Sequence, residues 1–312
     1  MKPEAFPTPT LLPSAQRRTI IIAGASGLIG TAFTDSAIEA GHTVRHLVRR
    51  TPAAQREFVW NPAQHAIDPE ALEGVDVVLN LSGASISKMP WTKSYKAVLR
   101  SSRLDATSTL VNAMRSMDAA PSLFLSGSAV GIYGSVADGE TIHDDHTGDG
   151  FLATLCKDWE AVAKEAEPAT TVTLLRTGLV LSQDGGMLPV VTRIAKLGGA
   201  GKLGNGQQHW PWISVNDYCL ALLHLVQSPL SGPVNMTAPV SSTAAEFMRT
   251  LAAVVHRPYL LPAPAFALKA LLGEAADELL LSNQPVHPSQ LLSSGFSFSD
   301  TDLHSVLTRL LR

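Results

Sequence analysis

Thr19-Ile20-Ile21-Ile22-Ala23-Gly24-Ala25-Ser26-Gly27-Leu28-Ile29-Gly30 sets a short β-branched run directly against three evenly spaced glycines. The run suits a buried central strand. After the glycines, Ile29, Phe33 and Ala37 recur at helical spacing until Gly41 supplies a stop. A strand turning that sharply into a helix aims the free N–H groups and positive dipole end of the helix at whatever lies over the turn, which suits a pyrophosphate. In this reading Gly24 permits the turn, Gly27 lets the backbone approach phosphate, and Gly30 lets helix and strand pack closely. The backbone of Ser26, Gly27, Leu28 and Ile29 then forms the anion cradle. The competing reading is a tight turn with no ligand; the strand before it and the helix after it argue against that.

Outward from this loop the pattern alternates. Strands are expected at Thr43–Val48, 75–81, 122–126 and 172–176, and helices carry Val98, Leu110, Val111 and Met114, then Leu155, Trp159 and Val162 within 151–166. That pace means an α/β chain with a Rossmann-type, doubly wound parallel sheet. Residues 183–211 are Gly-rich and read as a long functional loop with at most a short helix. Ser214-Val215-Asn216-Asp217 and Thr243-Ala244-Ala245-Glu246 each read as a capping box opening a helix. The expected division is a flexible Pro-rich leader over 1–18, a Rossmann domain over 19–235, and a smaller, mostly helical C-terminal lobe over 236–312 that takes in the 183–211 loop.

The 312 residues are 45% apolar and 16% charged, with a formal net charge of −3. Such a composition excludes disorder and coiled coil, and carries no global footprint for nucleic acid or an anionic membrane. No stretch is apolar for long enough to span a bilayer, and Pro3, Pro7, Pro9 and Pro13 interrupt any secretory core at the start. Two cysteines, Cys156 and Cys219, make neither a disulfide framework nor a zinc site. A cytoplasmic protein is the expectation.

Cofactor preference is read where the second strand ends. The stretch there is Leu47-Val48-Arg49-Arg50, with two guanidinium groups where an NAD-binding chain would place a carboxylate for the ribose hydroxyls. Arg49 and Arg50 offer a charge-assisted grip on a 2′-phosphate, so NADP(H) is expected over NAD(H). The competing reading is a solvated basic turn.

Further motifs close the later strands: Asn80-Leu81-Ser82-Gly83, then Ser126-Gly127-Ser128-Ala129-Val130-Gly131-Ile132-Tyr133-Gly134, then Trp212-Ile213-Ser214-Val215-Asn216-Asp217. Together with the glycine loop they make the chain resemble an extended short-chain dehydrogenase/reductase. More narrowly, it resembles the atypical nucleoside-diphosphate-sugar epimerase-like (cell-division-inhibitor-like) branch. That branch has runs similar to Trp91-Thr92-Lys93, Ser102-Arg103-Leu104-Asp105, Leu175-Arg176-Thr177-Gly178 and the lobe's Pro262-Ala263-Pro264-Ala265-Phe266. The resemblance covers residues 19 to about 312. It implies NADP(H) binding, with Leu81, Ser82, Gly83 and Arg103 bordering the cofactor, and an oxidoreductase or epimerase role on a small carbonyl or sugar-nucleotide-like substrate.

The wider superfamily pairs a Tyr with a Lys four residues later on one helix, the Tyr exchanging a proton with the substrate while the Lys lowers its pKa. Here the corresponding run is Phe151-Leu152-Ala153-Thr154-Leu155-Cys156-Lys157. Lys157 is present, but four residues before it stands Ala153, and one register earlier Leu152 precedes Cys156. Neither supplies a phenol. The expected stand-ins are Ser128, as polar anchor for the substrate oxygen, and Tyr133, as proton donor; strand-end satisfaction and a pocket wall are their plainer readings. Cys156 and Cys219 are more simply core thiols, and His143-Asp144-Asp145-His146 a solvated lid. Arg103 and Arg176 serve an anionic substrate or fix loops, while Trp210 and Trp212 wall a pocket or pin the 183–211 loop. Two functions remain open: an NADPH-dependent enzyme, or a non-catalytic NADP(H)-binding sensor. A homodimer is compatible with either.

Overall fold

Ile20 and Ile22 turn to one face of a central sheet, Ile21 and Ala23 to the other, and all four are fully buried. This is how a strand covered by helices on both sides comes to read as a continuous apolar run. The structure, a computed structural model, describes residues 17–312 apart from 141 and 143. The first sixteen residues of the expected leader, and His143 of the expected lid, therefore lie outside the described residues.

The chain runs β1 (Thr19–Ala23), α1 (Leu28–Glu39), β2 (Thr43–Val48), β3 (Glu57–Asn61), β4 (Ala66–Ile67), β5 (Val77–Asn80), α2 (Lys93–Arg115), β6 (Leu123–Ala129), α3 (Phe151–Lys164) and β7 (Thr171–Thr177). It continues through β8 (Leu179–Leu181), α4 (Leu188–Lys196), β9 (His209–Trp210), β10 (Trp212–Ser214), α5 (Val215–Gln227), β11 (Gly232–Met236) and β12 (Ser242–Thr243). Helices α6 (Ala244–Val254), α7 (Ala265–Leu272), α8 (Ser289–Ser293) and α9 (Leu303–Leu311) complete it. The main sheet has the order β11-β7-β6-β5-β1-β2-β3-β4, parallel throughout except for the β3–β4 pair. This is the Rossmann-type doubly wound sheet expected from the sequence. Strand order reverses beside β1, whose neighbours are β2 on one side and β5 on the other, and ligands of such sheets bind at that switch point.

Two cores sandwich the sheet. Ile20, Ile22, Val77 and Leu79 meet Phe33 and Ala37 of α1 and Tyr218 and Leu222 of α5. On the opposite face Ile21, Val78 and Phe124 meet Leu110, Val111 and Met114 of α2 and Ala163 of α3. Val98, earlier on α2, is instead 47% exposed. A third core joins Leu188, Val191 and Ala195 of α4 to Phe247 and Leu251 of α6 and Val306 and Leu307 of α9, so the 183–211 segment packs with the lobe. Trp210 and Trp212 are buried in that core, Trp210 edge-on to Phe247. They pin the segment.

Strands β3 and β4 were not expected. Glu57-Phe58-Val59-Trp60-Asn61 extends the sheet beyond β2, with Trp60 alone of the five fully turned inward. The capping expectations divide. Thr243 and Glu246 form the full reciprocal box. At α5 only half of it forms: Ser214 Oγ accepts from Asp217 N, but the Asp217 carboxylate does not reach back. It accepts instead from Ser299 N and Asp300 N, at 3.1 and 2.8 Å, because the returning chain presents two N–H groups to a buried carboxylate. The lobe also supplies what α3 lacks. Gly150 offers no side-chain cap, and Glu278 accepts from Phe151 N and Leu152 N at 2.8 and 3.2 Å.

Candidate functional site

A cleft of about 1170 Å³ opens at the switch point, over the carboxyl ends of β1, β2 and β5. Gly24, Ser26, Gly27, Arg49, Arg50, Leu81, Ser82 and Gly83 all line it. Leu28, Ile29 and Gly30 form the first turn of α1 beneath it. Two glycines are imposed by geometry. Gly24 has φ +86°, and a Cβ there would lie 2.8 Å from the Leu81 carbonyl on the neighbouring strand exit. A Cβ on Gly30 would lie 2.3 Å from Gly24 O, so the helix base rests directly on the loop. Gly27 N closes the turn onto Gly24 O at 3.0 Å.

The β5 exit is held open by a buried polar relay. Asn80 Oδ1 accepts from Ser82 N, and Asn80 Nδ2 donates to Thr107 Oγ1. Thr107 Oγ1 also accepts from Trp159 Nε1 and donates to Arg103 O. These bonds satisfy the strand-end amide and fix the 81–83 loop before any ligand arrives.

The basic rim differs in detail from the sequence reading. Arg50 is engaged: its guanidinium makes a bidentate pair with Glu57 at 2.8 and 2.6 Å, and holds that carboxyl down at about 2. Arg49 has no ion-pair partner among the described residues, and neither has Arg56, which the sequence reading missed. Arg56 enters the cleft because Arg56 O accepts from His46 N as β3 begins to pair with β2. His46 lines the same wall, its Nε2 3.1 Å from Thr34 Oγ1, and burial with Arg56 nearby lowers its pKa. The period-two pattern of 57–61 was the signal that could have placed Arg56 here.

Arg103 sits under Gly83, where an added Cβ would lie 3.0 Å from Cζ. Its guanidinium donates to Leu99 O at 3.0 Å and Ala84 O at 3.3 Å and lies 5.3 Å over the Trp159 ring. Burial lowers its pKa. These contacts tie α2 to the 81–84 loop.

Ser128 and Tyr133 belong to a separate, buried network. Ser128 donates to Glu160 Oε1 at 2.7 Å, and Glu160 forms a bidentate pair with Arg176 at 2.8 and 3.0 Å. Arg176 Nη1 donates to the Tyr133 hydroxyl at 3.0 Å and to Asp144 O. That hydroxyl in turn donates to Asn235 Oδ1 at 2.6 Å, and Asn235 Nδ2 donates to Asp144 Oδ1 at 2.9 Å. Tyr133 is fully buried. Burial raises its pKa, against the pull of Arg176. Burial also works against charge on Arg176, but Glu160 outweighs it and raises that pKa.

On α3 no phenol faces this region. Leu152 and Leu155 pack into an apolar cluster with Trp91, Leu99 and Ala275, and Ala153 is buried. Lys157 Nζ donates to Gly148 O at 2.8 Å, which anchors the preceding loop to α3. Burial, reinforced by Glu160, pushes the Cys156 thiol up to about 12, and burial does the same for Cys219. Both are inert core thiols at neutral pH. His146 stacks on Tyr133, and no cluster of three metal-ligating side chains occurs among the described residues. No helix among them is long and apolar enough to cross a membrane.

Comparison with known proteins agrees with this architecture. Residues 20–237 match the NAD dependent epimerase/dehydratase family, and residues 263–310 match a domain of unknown function, DUF1731. An epimerase family protein of Mycobacterium bovis is 42% identical over 290 residues, covering 92% of this chain and 96% of its own. A chloroplastic epimerase family protein of Arabidopsis thaliana is 33% identical, covering 90% of this chain and 83% of its own. Among solved structures, human epimerase family protein SDR39U1 with NADPH superposes with a TM-score of 0.86 at 29% identity, covering 94% of this chain and 98% of that one. A Thermus thermophilus UDP-glucose 4-epimerase superposes at 0.71 with 16% identity, covering 94% of this chain and 97% of that one, a likeness of fold alone.

Proposed function

This chain belongs to the NAD-dependent epimerase/dehydratase family, as an atypical extended short-chain dehydrogenase/reductase, and we propose that it is an NADP(H)-dependent oxidoreductase or epimerase acting on a small carbonyl or sugar-nucleotide-like substrate. The observation that carries this reading is the cleft: a glycine turn at the N-terminus of α1 faces two arginines, Arg49 and Arg56, that lack carboxylate partners among the described residues. The human relative whose structure holds NADPH supports the same choice.

The residues present fit such a cofactor. The free N–H groups at the start of α1, from Ser26 to Ile29, would hold the pyrophosphate. Arg49 and Arg56 would grip the 2′-phosphate, with Arg50 held back by Glu57. Leu81, Ser82 and Gly83, stiffened by the Asn80–Thr107 relay, would border the far half of the dinucleotide. Bound there, the nicotinamide would supply hydride transfer. The chain's own contribution is to position the cofactor and to shape the space beyond it.

Ser128 and Tyr133 are structural in this proposal: their hydroxyls are committed to Glu160 and Asn235, in a buried network that ties β6 and the turn after it to α3, β7 and β11. That commitment, with no phenol on α3, favours a second reading in which the protein binds NADP(H) as a sensor without turning over. Calorimetry with NADPH and NADH tests the cofactor assignment. Equal affinity for both would sink it. NADPH oxidation across a panel of carbonyls, quinones and sugar nucleotides then separates enzyme from sensor, tight binding without turnover being the sensor's signature.

A further inference from the structure

Between Gly185 and Asn216, and again between Phe247 and Gly273, the chain carries six lysines and arginines and no aspartate or glutamate. The fold lays these two stretches side by side. Arg257 Nε donates to Lys196 O at 2.9 Å, Leu260 N and Leu261 N donate to Ala200 O at 3.0 and 3.2 Å, and Ala263 N donates to Lys202 O at 2.8 Å. Arg193, Lys196, Lys202 and Arg257 are exposed, and none has an ion-pair partner among the described residues. The same region bares large apolar side chains. On α4, Leu188, Val191 and Ala195 enter the core, while Val190, Ile194 and Leu197 recur at helical spacing on the outer side, Leu197 being 81% exposed. Helix α7 has Ala265, Leu268 and Leu272 half-buried along one face and turns Phe266 and Leu271 outward, 76% and 78% exposed. Leu260 and Leu261, just before it, are exposed as well. Single exposed leucines are ordinary, but seven large apolar side chains on adjoining segments, interspersed with four such cations, are not.

We propose that this face docks the protein on an anionic lipid bilayer. Such a surface meets both chemistries at once: the acyl boundary takes Phe and Leu side chains at any spacing, and headgroup phosphates take the Lys and Arg side chains beside them. The long cationic stems can lie along the apolar surface while their charged ends reach the headgroups. Charge also sets the orientation. With six positive charges in these two stretches, the rest of the chain sums to −9 against an overall −3. An anionic membrane therefore attracts this face and repels the remainder. The protein lies on the bilayer and does not cross it, since no helix among the described residues is long and apolar enough to span. Lys269, the one ionic side chain of α7, is paired with Asp277 at 2.8 Å, so α7 contributes apolar contact and the four cations around it contribute the charge. None of these residues lines the cofactor cleft, so the proposal stands apart from the cofactor assignment.

Flotation of the full chain with lipid vesicles tests it. The wild type is expected to float with mixed phosphatidylglycerol and phosphatidylcholine vesicles, to stay behind with phosphatidylcholine alone, and to release as salt is raised. A cation near an anionic surface strengthens binding about fivefold, so Lys196→Gln combined with Lys202→Gln is expected to weaken it on the order of twentyfold. Phe266→Ser combined with Leu271→Ser is expected to abolish flotation, with unchanged circular dichroism and unchanged NADPH affinity. Leu260→Ser combined with Leu261→Ser removes apolar contact independently should the helix variant fold poorly. A wild type that floats with neither kind of vesicle overturns the proposal and leaves the face to a protein partner. So does equal flotation with both kinds, or wild-type flotation in all three double variants, which would put the lipid contact elsewhere on the chain.

Discussion

Ser128 and Glu160 are joined by a 2.7 Å hydrogen bond from the serine hydroxyl to Oε1, and the same oxygen accepts from Arg176 Nε at 2.8 Å. The serine at the end of β6 is thereby tied to the only carboxylate that neutralises the buried Arg176 among the described residues. A side chain expected to face substrate instead braces an ion pair between α3 and β7.

Glu160→Gln should be strongly destabilising. Glu160 and Arg176 are each only 5% exposed in their side chains, and removing one partner leaves a buried charge uncompensated, at a cost of about 3–5 kcal/mol. Ser128→Ala should cost less, since Glu160 keeps Arg176, with a loss of about 1.5 kcal/mol for one bond to a charged group. Urea titration of both variants checks the order. A Glu160→Gln protein as stable as its parent would show the pair to be dispensable.

Gly27→Val should remove dinucleotide binding while the chain still folds. The position has an ordinary negative φ, and a Cβ would lie 3.3 Å from Gly24 O, a tight but tolerable contact. The rest of the valine would project toward the cleft where phosphate must approach. Calorimetry on folded variant protein decides the matter, and wild-type affinity would refute the phosphate assignment.

Arg49→Ala and Arg56→Ala should each weaken NADPH selectively. Losing a charged hydrogen-bond partner costs about 1.5–3 kcal/mol, or on the order of tenfold to a hundredfold in affinity, with NADH little affected. Arg50→Ala should matter less to NADPH, because its guanidinium is already spent on Glu57. If Arg50→Ala proves the most damaging of the three, the pair with Glu57 opens on binding.

Tyr133→Phe should lower stability and leave any turnover within a few-fold of wild type. The change strips a hydroxyl that accepts from Arg176 and donates to Asn235, so two buried polar groups lose a partner, at roughly 1–3 kcal/mol. A proton donor would instead show a loss of about 10² or more in turnover with little change in binding. Steady-state kinetics beside a thermal melt distinguishes the two outcomes.

Local order along the chain was enough to place the glycine turn, the strand and helix flanking it, the alternating sheet pattern, Arg49 just after β2, and the absence of a phenol before Lys157. Each depends on residue spacing, because periodicity records which face of a strand or helix is covered and glycine records where the backbone must bend or touch. Tertiary structure alone decided the rest. Arg56 and His46 share a wall because β3 pairs with β2; Arg50 is withdrawn because Glu57 returns beside it. Asp217 leaves its capping box for two N–H groups 82 and 83 residues further along, and Tyr133 closes onto Asn235 across 102 residues. Such partners are set by where the folded chain comes back upon itself, and a buried polar group takes whichever donor or acceptor arrives there with the right geometry.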